Sequence, residues 1–231
     1  MSLDRDIAEQ IAYYRARAGE YDEWFERTGR YDFGPEERAA FKAEEAEAEQ
    51  ALRDFAPRGD VLEIACGTGW WTRRLVRLAR RLTCIDAAPE TIGLNARRLH
   101  AEALPAPEFI TADIFAWTPA RAYDAVVFCF WLSHVPSAKF ESFWMTVGRA
   151  LKQGGRVFFL DSPVPRKRRS PAATNDPEIE LRRLKDGSEH RAVKIYYEPG
   201  ALREKLGALG WGAEIAAGDY FLRGCARRAD R

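Results

Sequence analysis

Apolar residues near the start of the chain recur at three- and four-residue steps: Ile7, Ile11, Tyr14, Ala18 and Tyr21. That spacing lines one face of a helix, and Gly19 interrupts it. Asp32-Phe33-Gly34-Pro35 is a break, with Pro35 placed to open a second helix. From Glu36 to Phe55 the chain is rich in Ala and Glu, with Phe41, Ala48 and Leu52 as its apolar marks. Pro57-Arg58-Gly59-Asp60 closes this helical first part.

The rhythm then changes to short apolar runs separated by helical stretches. The runs are 61–65, 82–86, 107–111, 125–130 and, after the turn Gly154-Gly155, 156–160. Helices are expected over 72–80, 90–99 and 138–151. Unbroken apolar strands alternating with helices predict a mostly parallel sheet covered on both faces. Between Asp161 and Arg191 regularity lapses around four prolines and the basic run Arg166-Lys167-Arg168-Arg169, so a loop or lid is expected there. Charges at Arg182-Arg183-Leu184-Lys185-Asp186-Gly187 read as a hairpin or helix end. A strand at 192–197, a helix from Pro199 to Leu209 and two closing strands, 213–217 and 220–225, complete an α/β pattern within one domain.

Composition narrows the function classes. Of 231 residues, 36 are basic and 35 acidic, a net charge of +1 that offers nucleic acid or an anionic membrane no general attraction. No apolar run is long enough for a membrane span, and the first residues lack the apolar core of a signal peptide. A cytoplasmic protein, monomeric or homodimeric, is expected. Cys66, Cys84, Cys129 and Cys225 are scattered, without a C-x-x-C pair, and read as small hydrophobes in a reducing compartment. With only three histidines, and those scattered, no metal site is expected.

The strongest local signal is Glu63-Ile64-Ala65-Cys66-Gly67-Thr68-Gly69-Trp70-Trp71-Thr72. Strand residues run into a turn with two glycines, and Thr72 opens a helix. Residues without a Cβ let the backbone approach a ligand closely, and this turn lies at the carboxyl end of a strand, where open α/β sheets bind ligands. A dinucleotide fingerprint fits poorly, because its third glycine is replaced by Thr72 behind two tryptophans. Asp86 ends the second strand about twenty residues later, placed to accept both ribose hydroxyls of an adenosine. Asp113, after the third strand, is placed to accept an adenine amino group, with Ile114 offering a backbone amide and an apolar face.

These signals, in this order, resemble the core of the class I S-adenosylmethionine-dependent methyltransferases over residues 61–161. Residues 63–69 resemble the first motif of that family, Ile85-Asp86 its second, and Ala112-Asp113-Ile114 its adenine contact. Residues 123–127 resemble its fourth strand and 151–157 the turn into its fifth. Tyr13-Tyr14, Ala18 and Tyr21-Asp22 look like the N-terminal helix that lids the cofactor in small-molecule members. The resemblance implies a Rossmann-like, seven-stranded, mostly parallel sheet with helices on both faces plus an N-terminal helical lid. It divides the chain into a lid (1–57), a cofactor-binding core (58–161), a loop or lid insertion (162–191) and C-terminal strands and helix (192–231). By the same resemblance S-adenosylmethionine is the cofactor. Ala65 and Gly67 would face its methionine part, Glu63 would help hold the amino group, and Asp86 and Ala87 would hold the ribose and flank the adenine. Asp113 and Ile114 would grip the base, with Phe130 and Trp131 under the sulfonium. Tyr14, Tyr21, Gly69, Trp70 and Thr72 complete the expected cofactor-binding set.

Methyl transfer from a sulfonium is an in-line displacement that a protein accelerates mainly by alignment, worth about 7–11 kcal/mol at best. Aromatic faces such as Trp24, Trp70, Trp131, Tyr14 or Tyr21 would stabilise the cation. His134, in the loop after the fourth strand, is the candidate base for a hydroxyl acceptor, because an unperturbed imidazole titrates near neutrality. The expected reaction is O- or N-methylation of a small molecule. Methylation of RNA or protein through 166–185, and a binding scaffold without turnover, are the competing readings.

Overall fold

The structure, a computed structural model, describes residues 3–165 and 176–229. Helix α1 (Leu3–Arg17) gives way at Ala18–Glu20 to a 3₁₀ turn, where Gly19 interrupts the pattern. A short helix α2 (Glu23–Glu26) and a 3₁₀ turn at Gly29–Tyr31 follow, then the long α3 (Pro35–Phe55), with Pro35 in its first turn. The core runs β1 (Asp60–Ile64), α4 (Thr72–Leu75), β2 (Arg81–Asp86), α5 (Pro89–Ala101), β3 (Glu108–Thr111), β4 (Tyr123–Cys129), α6 (Phe140–Ala150) and β5 (Leu151–Asp161). After it come β6 (Ile179–Arg183), β7 (Glu189–Val193), α7 (Pro199–Ala208), β8 (Trp211–Ala217) and β9 (Leu222–Arg228).

Seven strands form one sheet in the order β3-β2-β1-β4-β5-β9-β8. The first five are parallel, and β9 and β8 join antiparallel. Side chains alternate across the sheet, which divides the core in two. Leu62, Ile64, Val126, Phe128, Val157 and Phe159 pack towards α6 and α7. Val61, Cys84, Val127, Phe158 and Leu160 pack towards α3 and α4. Glu63 lies between Leu62 and Ile64 and therefore points to the α3 side.

Three elements differ from expectation. The helix expected over 72–80 has one regular turn and then relaxes into single turns, because the chain has to re-enter the sheet at Arg81. Part of the expected loop at 162–191 is ordered. β6 and β7 pair antiparallel, with the turn at 184–188 closed by Leu184 and Ser188, so the charges there belong to a hairpin. The strand expected at 192–197 accordingly ends at Val193, two residues into its range. This hairpin is a separate two-stranded sheet whose β7 packs along α1. The basic run 166–169 lies outside the described residues. Cys66, Cys84 and Cys129 are buried among apolar neighbours. Among the described residues no helix is long and apolar enough to cross a membrane.

Candidate cofactor and acceptor site

A partly open cleft, about 740 Å³ with the open solvent at its mouth included, runs along the carboxyl ends of β1, β2 and β4, with α1 as its opposite wall. The expected residues Tyr14, Tyr21, Ala65, Gly67, Asp86, Ala87, Asp113, Ile114, Phe130, Trp131 and His134 all line it. The backbone takes a left-handed turn as β1 and β4 end. Ala65 has φ 54° and Phe130 φ 57°, although neither is glycine. Non-glycine residues in this region cost about 1–2 kcal/mol each, and such strain gathers at ligand sites. Gly67, at φ 53°, continues the turn.

At one end of the cleft Asp86 is fixed by backbone amides. Its Oδ2 accepts from Gly67 N and its Oδ1 from Ala88 N, each at 2.9 Å. Burial pushes its carboxyl above the ordinary range, against those hydrogen bonds. Thr91 Oγ1 also lies 3.3 Å from Oδ1, and of the roughly four acceptor positions of a carboxylate one remains for a ribose hydroxyl. Asp113 Oδ1 accepts from Phe115 N at 2.9 Å, which leaves Oδ2 to meet an adenine amino group. These residues fit an adenosine.

At the other end α1 is stitched to the body. Gln10 Nε2 donates to the His134 carbonyl, and Gln10 Oε1 accepts from Val193 N, both at 3.0 Å in a buried setting. His134 Nδ1 lies 2.6 Å from the Val193 carbonyl, which can only accept, so this nitrogen carries the proton. Nε2 therefore accepts from Tyr14 Oη at 2.7 Å. Burial, then the positive charges of Lys194, Arg182 and Arg17, push the His134 pKa well below its ordinary value. Burial likewise holds the Tyr14 phenol well above its own. The expectation that His134 titrates near neutrality is therefore corrected. It is a neutral imidazole whose free lone pair is already engaged.

Four expected cofactor residues lie off the cleft. Glu63, on the α3 face, accepts from Thr72 Oγ1 at 2.7 Å and Cys84 Sγ at 3.3 Å, and burial raises its carboxyl to about 7. Thr72 thereby ties the loop to the sheet, and Asn95 Nδ2 donates to it at 2.8 Å. Gly69 is needed for packing: a Cβ there would stand 2.3 Å from Asn95 Oδ1. Trp70 is buried, stacked on Phe25 with ring centres 4.7 Å apart, and donates to Glu45 Oε1 at 2.6 Å. Of the proposed aromatic faces, Trp24 also packs in this cluster, against Phe25 and Phe130.

Other lining residues escaped the sequence reading: Ile7, Gln10, Ile11, Thr91 and Phe115 among them. Ile7 and Ile11 carried the periodicity of α1, which signals a buried face without saying that it closes a cleft. Nothing local marks Gln10, whose partners lie 124 and 183 residues away.

A model of a methyltransferase domain matches residues 61–155. With this sheet order and cleft, the chain belongs to the class I S-adenosylmethionine-dependent methyltransferases. A solved structure of DhpI with S-adenosylhomocysteine is similar at 37% identity, covering 100% of both chains with a TM-score of 0.81. A complex of DhpI with S-adenosylmethionine and HEP gives 38% identity over 98% of this chain and 100% of that one, at the same TM-score, 0.81. Among curated proteins, the malonyl-[acyl-carrier protein] O-methyltransferase of Paenibacillus sp. is 30% identical, over 57% of this chain and 49% of its own. The ubiquinone biosynthesis O-methyltransferase of Nitrosococcus oceani is 35% identical, over 43% and 42%. The chain thus spans about half the length of these curated relatives or less.

Proposed function

We propose that the protein transfers a methyl group from S-adenosylmethionine to an oxygen of a small molecule. The observation that carries this reading is a cleft that joins carboxylates placed to fit an adenosine at one end to the part-buried Tyr14–His134 pair at the other. When bound, the cofactor supplies an electrophilic methyl on a sulfonium. Asp86 holds the ribose, Asp113 and Ile114 the base, and the turn Ala65–Gly67 lies beside the methionine part. Phe130 and Trp131 form an apolar floor, and α1 excludes water, which strengthens electrostatic interactions inside. Oxygen is favoured as the attacked atom by the O-methyltransferase relatives. The DhpI complex, which contains HEP as well as S-adenosylmethionine, supports the binding of a second compound together with the cofactor.

Calorimetry with S-adenosylhomocysteine tests the first half of the reading. Micromolar binding is expected for the wild type, weakened at least thirtyfold in Asp86→Ala, where a charge-assisted acceptor is lost. A folded wild type that binds neither S-adenosylmethionine nor S-adenosylhomocysteine would sink it.

A further inference from the structure

Asp86 and Asp113 line the cleft, and no arginine or lysine does. A third carboxyl, Glu63, lies beneath the glycine turn, off the cleft and 2% exposed. The polar atoms that meet it are neutral. Thr72 Oγ1 and Cys84 Sγ both donate to its Oε2, at 2.7 and 3.3 Å. On β2 the Cys84 thiol is also in hydrogen-bond contact with Cys66 of the turn, and Asp86 supplies the charge that acts on Glu63. On β4 the Cys129 thiol, held protonated by burial, lies near enough to feel Glu63. Arg74, on α4, is engaged by Glu45 at 3.4 Å and Glu49 at 2.9 Å. From α5 comes the neutral Asn95, which donates to Thr72 Oγ1 at 2.8 Å.

A hydroxyl and a thiol do not replace the water that burial removes from a carboxylate, so a carboxyl in this setting keeps its proton to an unusually high pH. For Glu63 that limit is about 7. A positive charge arriving in the cleft above the turn favours the ionised form and offsets part of the cost. The two forms of the cofactor differ in this respect. S-adenosylmethionine carries a sulfonium, and S-adenosylhomocysteine has lost it.

Resting on the proposed methyl transfer, we infer that Glu63 is a specificity-determining residue for the state of the cofactor, giving up its proton to favour the charged methyl donor over the spent form. It acts from beneath the turn through its charge, without touching the ligand. Binding the donor therefore releases part of a proton near neutral pH, and loss of the methyl takes it back. The sign follows from linkage. Below the range in which Glu63 ionises, it is neutral in both complexes and discriminates least. As pH rises through that range, the donor gains on the spent form.

The test is calorimetry of wild type and Glu63→Gln with both ligands at pH 5.5 and 8.5. The quantity read is the dissociation constant of S-adenosylhomocysteine divided by that of S-adenosylmethionine. Titration of the ligands' own groups is common to both proteins, so the wild-type rise in this ratio is divided by the variant's. That quotient should be about threefold or more, and a smaller one would overturn the inference. At pH 5.5, where the amide stands for the protonated acid, the two proteins should agree within threefold for each ligand. Glu63→Asp, which restores a titrating group, should recover part of the rise. Should Glu63→Gln fail to fold, Cys84→Ser decides. Its hydroxyl donates more strongly to Oε2 and should move the midpoint of the rise to lower pH by about half a unit, and an unmoved midpoint would overturn the inference. A folded wild type that binds neither ligand would instead remove the reading on which the inference rests.

Discussion

Glu63 places a titrating carboxyl inside the sheet, directly beneath the glycine turn. Its side chain is 2% exposed, and burial, helped by the charge of Asp86, raises its pKa from 4.5 to about 7, while Thr72 and Cys84 pull the other way. The folded chain therefore binds this proton more tightly than the unfolded one. The resulting stability is fully present below pH 4.5 and is lost as pH rises through about 7. At about 1.4 kcal/mol for each pH unit between the two values, the loss reaches about 3 kcal/mol. For a chain of this size that corresponds to roughly 6–12 °C in Tm. Glu63→Gln removes the titration while its amide oxygen still accepts from Thr72 and Cys84. The measurement is urea denaturation of wild type and variant, without ligand, at half-unit steps from pH 4.5 to 8.5. The variant's stability relative to wild type should climb by about 3 kcal/mol across that range. Taking the difference cancels groups that do not interact with Glu63, while Asp86, whose charge acts on Glu63 and whose carboxyl is also raised by burial, stays part of the signal. Curves that stay parallel within about 0.5 kcal/mol would refute a buried, near-neutral Glu63.

Two further predictions concern the turn and the lid. Gly69→Ala puts a Cβ 2.3 Å from Asn95 Oδ1 and 3.2 Å from its Cα, at a φ of 88°. Left-handed strain and displacement of a buried, hydrogen-bonded amide should together cost about 2–4 kcal/mol in urea, and a Tm within 2 °C of wild type would contradict this packing role. Gln10→Ala leaves the His134 carbonyl and Val193 N without their buried partner. Local stability of α1 should drop by about 2–4 kcal/mol, read as hydrogen exchange at least tenfold faster in residues 3–17 with α6 unchanged. Uniformly faster exchange in both helices would argue against a local latch.

Much of the fold was legible because periodicity is local. The five parallel strands announce themselves as apolar runs, and Pro35 and Gly19 mark where helices begin and break. The candidate cleft was legible where it follows the strand ends: Asp86, Asp113 and Gly67 line it. It was misread where side-chain direction decides. Glu63 follows the alternation of β1 to the α3 face, and Gly69 answers to Asn95, a residue 26 positions further along the chain. His134 looked like a base because its type suits one, whereas its pKa is set by cations and burial contributed from remote elements. The left-handed turns at Ala65 and Phe130 carry no sequence mark at all, since glycine would be the ordinary choice there.

The stitching of α1 to His134 and Val193 also bears on timing. The helix that walls the cleft is tied by Gln10 and Tyr14 to the two segments flanking the acceptor end. Were the helix to lift as one body, both halves of the cleft would open together, and spent cofactor and methylated product would share one exit. Opening by that route would break the two buried hydrogen bonds of Gln10 and the part-buried bond of Tyr14, which would make release slow compared with side-chain motion. Turnover would then be metered by a helix leaving its seat, and a change at Gln10, which takes no part in bond-making, would reset the clock of the whole cycle.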